Sequence, residues 1–320
     1  MTRYFAQRFL LVIPTLLGVT VIVFSLLRLV PGGAATALLG ENATPEQAAA
    51  LQHTLGLDQP IALQYVQWVG GMLHGDLGKS LLNQTPISHD IAVRIGWTFE
   101  LGAFALLFSL LVALPIGIFA AIRQDSILDY LARSSAIAFL SIPSFWFATL
   151  LIVYGSMGLQ VGGLHLQFTA PLGREIDADL GHNLSLVIPP ALILGFGLSG
   201  SVMRLTRTQM LEVMRQDYIR TAQAKGLELW VVIARHALRN ALIPVITIIG
   251  LQVPVLVGGS VILEQIFSLP GMGYYLVQAV SQRDITAIQG VVLVSATLVI
   301  LSNLFVDFTY SVLDPRIRNA

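Results

Sequence analysis

The chain has 320 residues, 55% of them hydrophobic and only 11% charged, against about 25% charge in an ordinary soluble domain. Its 18 basic and 18 acidic residues cancel, which excludes nucleic-acid binding by bulk charge, and the lack of cysteine excludes disulfides, thiolate metal sites and cysteine nucleophiles. So few charges cannot clothe a water-soluble body of this size, and the apolar residues stand in long blocks: this is a membrane protein.

Residues 9–27, 101–122, 136–157, 183–203, 241–263 and 285–306 each supply the roughly 20 apolar residues that a spanning helix needs, and none contains Lys, Arg, Asp or Glu. The first follows Arg3 and Arg8 like a secretory leader. It is too long for a leader core, so it reads as a retained helix. With the N-terminus in the cytoplasm, 13 of the 18 basic residues fall in inner segments and 5 in outer ones. An even number of spans then places both termini inside.

Between the first two spans lies an outer loop, 31–95, too long to lack structure of its own. Thr44-Pro45-Glu46-Gln47 fits a capping box with proline at the first helical position. Ile61, Tyr65, Trp68 and Met72 then form one apolar stripe at helical spacing. The stripe suits a helix lying at the membrane surface or a docking face for an external partner. Gly78-Lys79-Ser80 resembles the end of a phosphate-cradling loop, but Leu73 stands where that motif needs glycine, so no nucleotide site is expected there. A second outer loop, 158–182, carries Arg174, Glu175, Asp177 and Asp179 and reads as solvated.

Ion-driven carriers keep ionisable groups inside their spans, and these spans hold none; Glu100 and Asp307 sit at their edges. The six histidines (His53, His74, His89, His165, His182, His236) are dispersed without ligand spacing, and no H-E-x-x-H occurs, so neither a metal nor a cofactor is expected on this chain. Prolines and glycines recur inside the spans, among them Pro14, Pro115, Gly117, Pro143, Gly195, Gly200 and Pro244. They are compatible with close helix packing and equally with hinges along a transport path.

The long inner connection, 204–240, is the most informative segment. One amphipathic piece is expected over 210–225 and a second over 227–238, with Gly226 supplying the left-handed turn between them. Leu227, Trp230, Val231, Ala234 and Leu238 share a face of the second piece. Arg235, His236 and Arg239 crowd its end, where positive charge suits a helix C-terminus. An exposed Trp/Leu/Val face suits a groove on a partner protein better than it suits bare solvent.

These residues resemble the inner-membrane permease subunits of ATP-binding-cassette importers, in the dipeptide/oligopeptide/nickel branch. Residues 217–226, Asp-Tyr-Ile-Arg-Thr-Ala-Gln-Ala-Lys-Gly, look like that branch's cytoplasmic EAA loop, and residues 236–244 are also typical of it. The likeness extends through the opening 4–31, Leu55-Gly56-Leu57-Asp58-Gln59-Pro60, His74-Gly75-Asp76-Leu77-Gly78, the run 264–273, Arg283-Asp284 and the tail Asp314-Pro315-Arg316-Ile317-Arg318. Arg220-Thr221-Ala222 departs from the general Glu-Ala-Ala, and Pro244 falls late after Gly226; both departures are those of the peptide branch. Pro31-Gly32-Gly33-Ala34 stands where the branch more often has Asp-Pro.

The resemblance implies an all-α membrane protein with six transmembrane helices and the type I importer permease fold, one domain over 1–320, with a helical outer loop and a cytoplasmic coupling helix. It implies a bacterial inner-membrane subunit that imports peptides and is no enzyme itself. A paralogous permease would share the substrate path, an extracytoplasmic binding protein would deliver substrate, and cytoplasmic ATPases would bind ATP and Mg. Membrane lipid is the remaining partner, and nucleic acid is not one. Coupling to the ATPases falls on Arg220, Thr221, Ala222, Lys225, Gly226, Leu227, Trp230, Val231, Ala234 and Leu238. Import of nickel, a metal chelate or glutathione is the alternative within the branch; a stand-alone channel or ion-driven carrier, or a non-transporting scaffold, is the alternative outside it.

Overall fold

The computed structural model describes residues 2–26, 44, 46–47, 52–53, 58–157, 159–161, 164–166 and 180–313. Expectations for the turn at 31–34, the Leu55-Gly56-Leu57 motif, the charges at 174–179 and the tail at 314–318 lie outside these residues. Helices dominate: α1 (Thr2–Leu26), α2 (Ile61–Leu73), α3 (Ile87–Ile122), α4 (Ile127–Ser141), α5 (Ser144–Met157), α6 (Leu180–Met214), α7 (Asp217–Ala224), α8 (Leu238–Leu251), α9 (Val253–Ile266), α10 (Met272–Ser281) and α11 (Ile285–Leu313). An all-α reading misses one small element. Leu159–Val161 and Leu164–Leu166 pair antiparallel, Leu159 opposite Leu166, inside the loop read as merely solvated; both triplets alternate apolar and polar residues, the pattern of a strand.

The helix expected over 136–157 is not continuous. α4 and α5 meet at 88°. Ile142 precedes Pro143 and is driven to extended backbone, at φ −84° and ψ 118°, by clash with the proline ring. Pro143 then opens the next helix, its carbonyl accepting from Trp146 and Phe147 at 3.1 and 3.2 Å. Pro14, Pro115, Pro189, Pro190 and Pro244, by contrast, lie inside unbroken helices. Among the described residues, five helical stretches are long and apolar enough to cross a bilayer, or six if the bent pair is one span. Large apolar side chains remain exposed along them, Leu111 at 65% and Phe305 at 70%. Hydrocarbon rather than water is the solvent that suits such a surface.

The chain divides into two units, Met1–Gly96 with Pro270–Leu304, and Trp97–Leu269 with Phe305–Ala320. In the first, Tyr65 and Trp68 of α2 lie 5.1 and 5.7 Å from the Phe24 ring of α1, and the Tyr65 and Thr20 hydroxyls are 2.7 Å apart. The predicted stripe thus packs on α1, although Ile61 stays exposed. Thr44 and Gln47 exchange the two bonds of the expected capping box. Ile87, Ile91, Met272, Tyr275, Ala287 and Val291 join α3, α10 and α11 in one core. Tyr275 donates to Asp90 at 3.2 Å; burial and then the adjacent Asp90 charge raise its phenol far above the usual range, so it remains a donor.

The motif 74–78 has a structural task. Gly78 sits at φ +85°, and a Cβ there would meet Thr286 at 3.0 Å. The turn it makes delivers Ser80 to the buried Asp284, whose carboxylate accepts from the Ser80 hydroxyl, from Leu81 N–H and from Ala287 N–H. The last bond caps α11. Gly78-Lys79-Ser80 is therefore a clip onto a helix start. Asp284→Ala removes the cap and orphans the Ser80 hydroxyl, so it should cost about 1–3 kcal/mol. A lower melting midpoint of the detergent-purified chain reads the loss, and Asp284→Asn, which still accepts hydrogen bonds, should recover part of it.

Candidate functional site

The second unit carries the segment 204–240 on a helical frame. Small residues let α6 approach its neighbours closely. A Cβ on Gly195 would lie 2.6 Å from the Ala105 carbonyl of α3, on Gly117 2.8 Å from that of Met203, and on Gly200 2.6 Å from that of Ala136 on α4. At these three positions the packing reading holds. Gly18, Gly197 and Gly258 meet nothing within 4 Å and have no such task.

Beyond the apolar stretch 183–203, α6 runs unbroken to Met214, so the connection begins as a continuation of a span. The predicted helix over 210–225 is in fact two. Arg215 and Gln216 close turns onto Glu212 and Val213, and α7 restarts at Asp217. Ile219 and Ala222, one turn apart on α7, are both buried. They pack in one cluster with Met210 of α6, Ala121 of α3, and Val232, Ile233, Ala237 and Ala241.

Gly226 closes the end of α7. Its N–H donates to Gln223 at 2.9 Å, and its φ is +78°, the region that the sequence reserves for it. The chain then exposes Leu227, Leu229, Trp230 (58%) and Val231 before turning inward. The second piece does not end near Leu238, as sequence alone suggests. Val232–Ala237 form a π-helical stretch that feeds directly into α8. This wider turn buries Val232, Ile233 and Ala237 together, and the cations Arg235 and Arg239 lie on a continuous helix rather than at its terminus. Asn240 of α8 donates to the Tyr218 hydroxyl of α7 at 2.8 Å, a second tie across the segment.

The ten expected coupling residues therefore separate. Arg220, Thr221, Lys225, Gly226, Leu227, Trp230, Val231 and Ala234 are exposed. The Trp230 ring also meets Phe119 edge to face at 6.1 Å. Ala222 is buried and Leu238 is half-buried against the same cluster, so these two hold the segment together and offer no surface. Leu229 is exposed within the tip and escapes the sequence reading, because it does not lie on the expected stripe; Tyr218, in the 217–226 motif, is exposed as well.

Charge reinforces the frame. Asp129, buried in the first turn of α4, accepts from Arg207 of α6 through Nε at 2.5 Å and a second guanidinium nitrogen at 2.7 Å, and from Asp125 N–H at 2.9 Å. Ser126 caps α4 by accepting from Asp129 N–H. The pair is bidentate and almost dry. Nothing in the spacing of Asp129 and Arg207, 78 residues apart, announces it. Glu264 near the end of α9 is also buried and accepts from Thr98 of α3 at 2.9 Å; it falls one residue past the predicted span and so escapes a search for charges within spans.

The model of binding-protein-dependent transport system inner membrane components matches residues 113–319, and that of their N-terminal region matches 1–102. The chain is 39% identical to the dipeptide transport system permease protein DppB of Escherichia coli (strain K12), over 100% of this chain and 99% of that protein. It is 40% identical to the protein of the same name from Alkalihalophilus pseudofirmus, over 99% and 100% of the two. The di/tripeptide transport system permease protein DppB of Pseudomonas aeruginosa is 40% identical, over 100% and 99%. The chain belongs to the family of binding-protein-dependent transport system inner membrane components, ABC importer permeases that cross the inner membrane several times.

Two outcomes follow from this geometry. Asp129→Ala leaves the buried Arg207 uncompensated and should cost about 3–5 kcal/mol, whereas the paired Asp129→Leu, Arg207→Met change should recover most of it; monodispersity after heating distinguishes them. Gly226→Val forces a β-branched residue to φ +78° in open space. It should loosen the 217–231 segment, read as faster amide hydrogen exchange in α7, while leaving membrane insertion intact, because the strain of about 1–2 kcal/mol falls on the tip rather than on the spans.

Proposed function

We propose that this permease imports short peptides as one half of a transport path. A second, paralogous permease supplies the other half, and an extracytoplasmic binding protein delivers the substrate. Separate cytoplasmic ATPases bind ATP and Mg and drive the cycle. The substrate class rests on relatives whose names specify dipeptide or di/tripeptide transport and whose lengths this chain matches end to end. The bias of basic residues supports cytoplasmic termini and a cytoplasmic 204–240 segment.

One observation carries the coupling role: an exposed apolar tip, Leu227 to Val231, stands on a buried cluster shared by three helices. A flexible loop could be pushed without consequence. Here Ile219 and Ala222 lock the tip to α6, and Val232 and Ile233 lock it to the helix entering the membrane as α8. A force on Trp230 is thus delivered to α6, to α8 and to the end of α3 at once, and nucleotide-driven closure of the ATPases moves these ends as a body. The chain's own residues bind no nucleotide in this scheme; they receive motion.

The assembled complex, reconstituted with its binding protein, should hydrolyse ATP faster when peptide is added. A photocrosslinker at position 230 should attach to the ATPase. Transport of peptide by the isolated chain without ATP, or crosslinks from position 230 that never reach an ATPase, would reject the reading.

A further inference from the structure

We infer that the second unit holds a site for one acidic phospholipid, in the leaflet on the side of the 204–240 segment. A crevice of about 180 Å³ opens between α4 and α6. Ala136, Ile137 and Leu140 line its apolar length, and Arg133, Arg204 and Arg207 are among its polar residues. The two kinds of lining correspond to the two ends of a lipid. Arg204 stands immediately after the charge-free stretch 183–203, the level at which a headgroup meets hydrocarbon, and Arg133 is level with it, about one turn from Ala136 as Arg204 is from Gly200, where the two helices meet. Ile137 and Leu140 lie on the apolar side of that level and are themselves exposed, so an acyl chain seated along them is continuous with the surrounding bilayer.

Charge selects the headgroup. Of the three cations, Arg207 is neutralised by Asp129 in the bidentate pair. Arg133 is left with longer ion pairs, 3.4 Å to Asp129 and 3.9 Å to the exposed Asp125, and its buried Nε and Nη2 make no hydrogen bond among the described residues. Its guanidinium also lies 4.5 Å over the Tyr130 ring, which holds it in place. Arg204 is exposed. Three arginines against the two carboxylates of Asp125 and Asp129 leave the crevice net cationic, with Arg204 exposed, which favours a phosphodiester bearing net negative charge over a zwitterionic lipid. The apolar lining disfavours a free phosphate, which would gain nothing from it.

Native mass spectrometry of the full chain, titrated with phosphatidylglycerol, phosphatidylcholine or inorganic phosphate, tests the site. One phosphatidylglycerol per chain should survive delipidation, with phosphatidylcholine weaker and millimolar phosphate failing to displace it. Arg133→Gln with Arg204→Gln should weaken phosphatidylglycerol binding roughly thirtyfold, the loss expected of two interfacial cations. Arg133→Lys with Arg204→Lys should restore much of it and shows that a fall is not misfolding. Equal affinity for the two lipids, binding unchanged in the glutamine variant, or displacement by phosphate alone would each overturn the inference. Transport need not be measured, so failure here leaves the peptide-import reading standing.

Discussion

The structure's working part depends on one packing contact, the burial of Ile219 and Ala222 beneath Met210 and against Val232, Ile233 and Ala237. A connection between two membrane spans is ordinarily the most mobile part of a polytopic protein. Here two small turns of apolar surface hold it to the rods on either side, so the connection behaves as part of those rods. Each contact is modest, a few kcal/mol of area removed from water. Their arrangement at the joint of three helices matters more than their sum.

The same economy appears in the polar contacts. With 11% charged residues the chain has few ions to spend, and several sit where two elements must be fixed. Asp129 and Arg207 join α4 to α6, Asp284 starts α11 while gripping the turn at Ser80, and Asp90 collects Thr85 and Tyr275. Where burial shuts out water, as at Asp129 and Asp284, an unpaired ion is costly, so each tolerates essentially one arrangement. Close glycine contacts at positions 117, 195 and 200 set the helix spacing within which the Asp129–Arg207 pair forms.

Much of the fold was legible because its signals are local. Spans show as runs without charge, Gly226 as a left-handed stop, and the Thr44 capping box as a four-residue pattern. What escaped depends on neighbours distant in sequence. Pro143 and Pro115 are equally apolar in context, yet only Pro143 breaks its helix. The difference lies in how the rest of the protein accommodates each ring, which no window of sequence contains. The 78-residue separation of Asp129 and Arg207, and the π-helical entry to α8, are invisible for the same reason. At the candidate site the sequence singled out one segment but mixed two kinds of residue. Ala222 and Leu238 share the motif with Leu227 and Trp230 yet face inward.

That division has an evolutionary corollary. Within some twenty consecutive positions, the side chains left exposed and those packed in the buried cluster form separate sets, interleaved along the chain but not in space. Residues 227–231 can therefore be rewritten, changing the exposed surface, without disturbing the helical body beneath. The converse also follows: drift at 219, 222 or 233 would loosen the exposed tip whatever residues it carries.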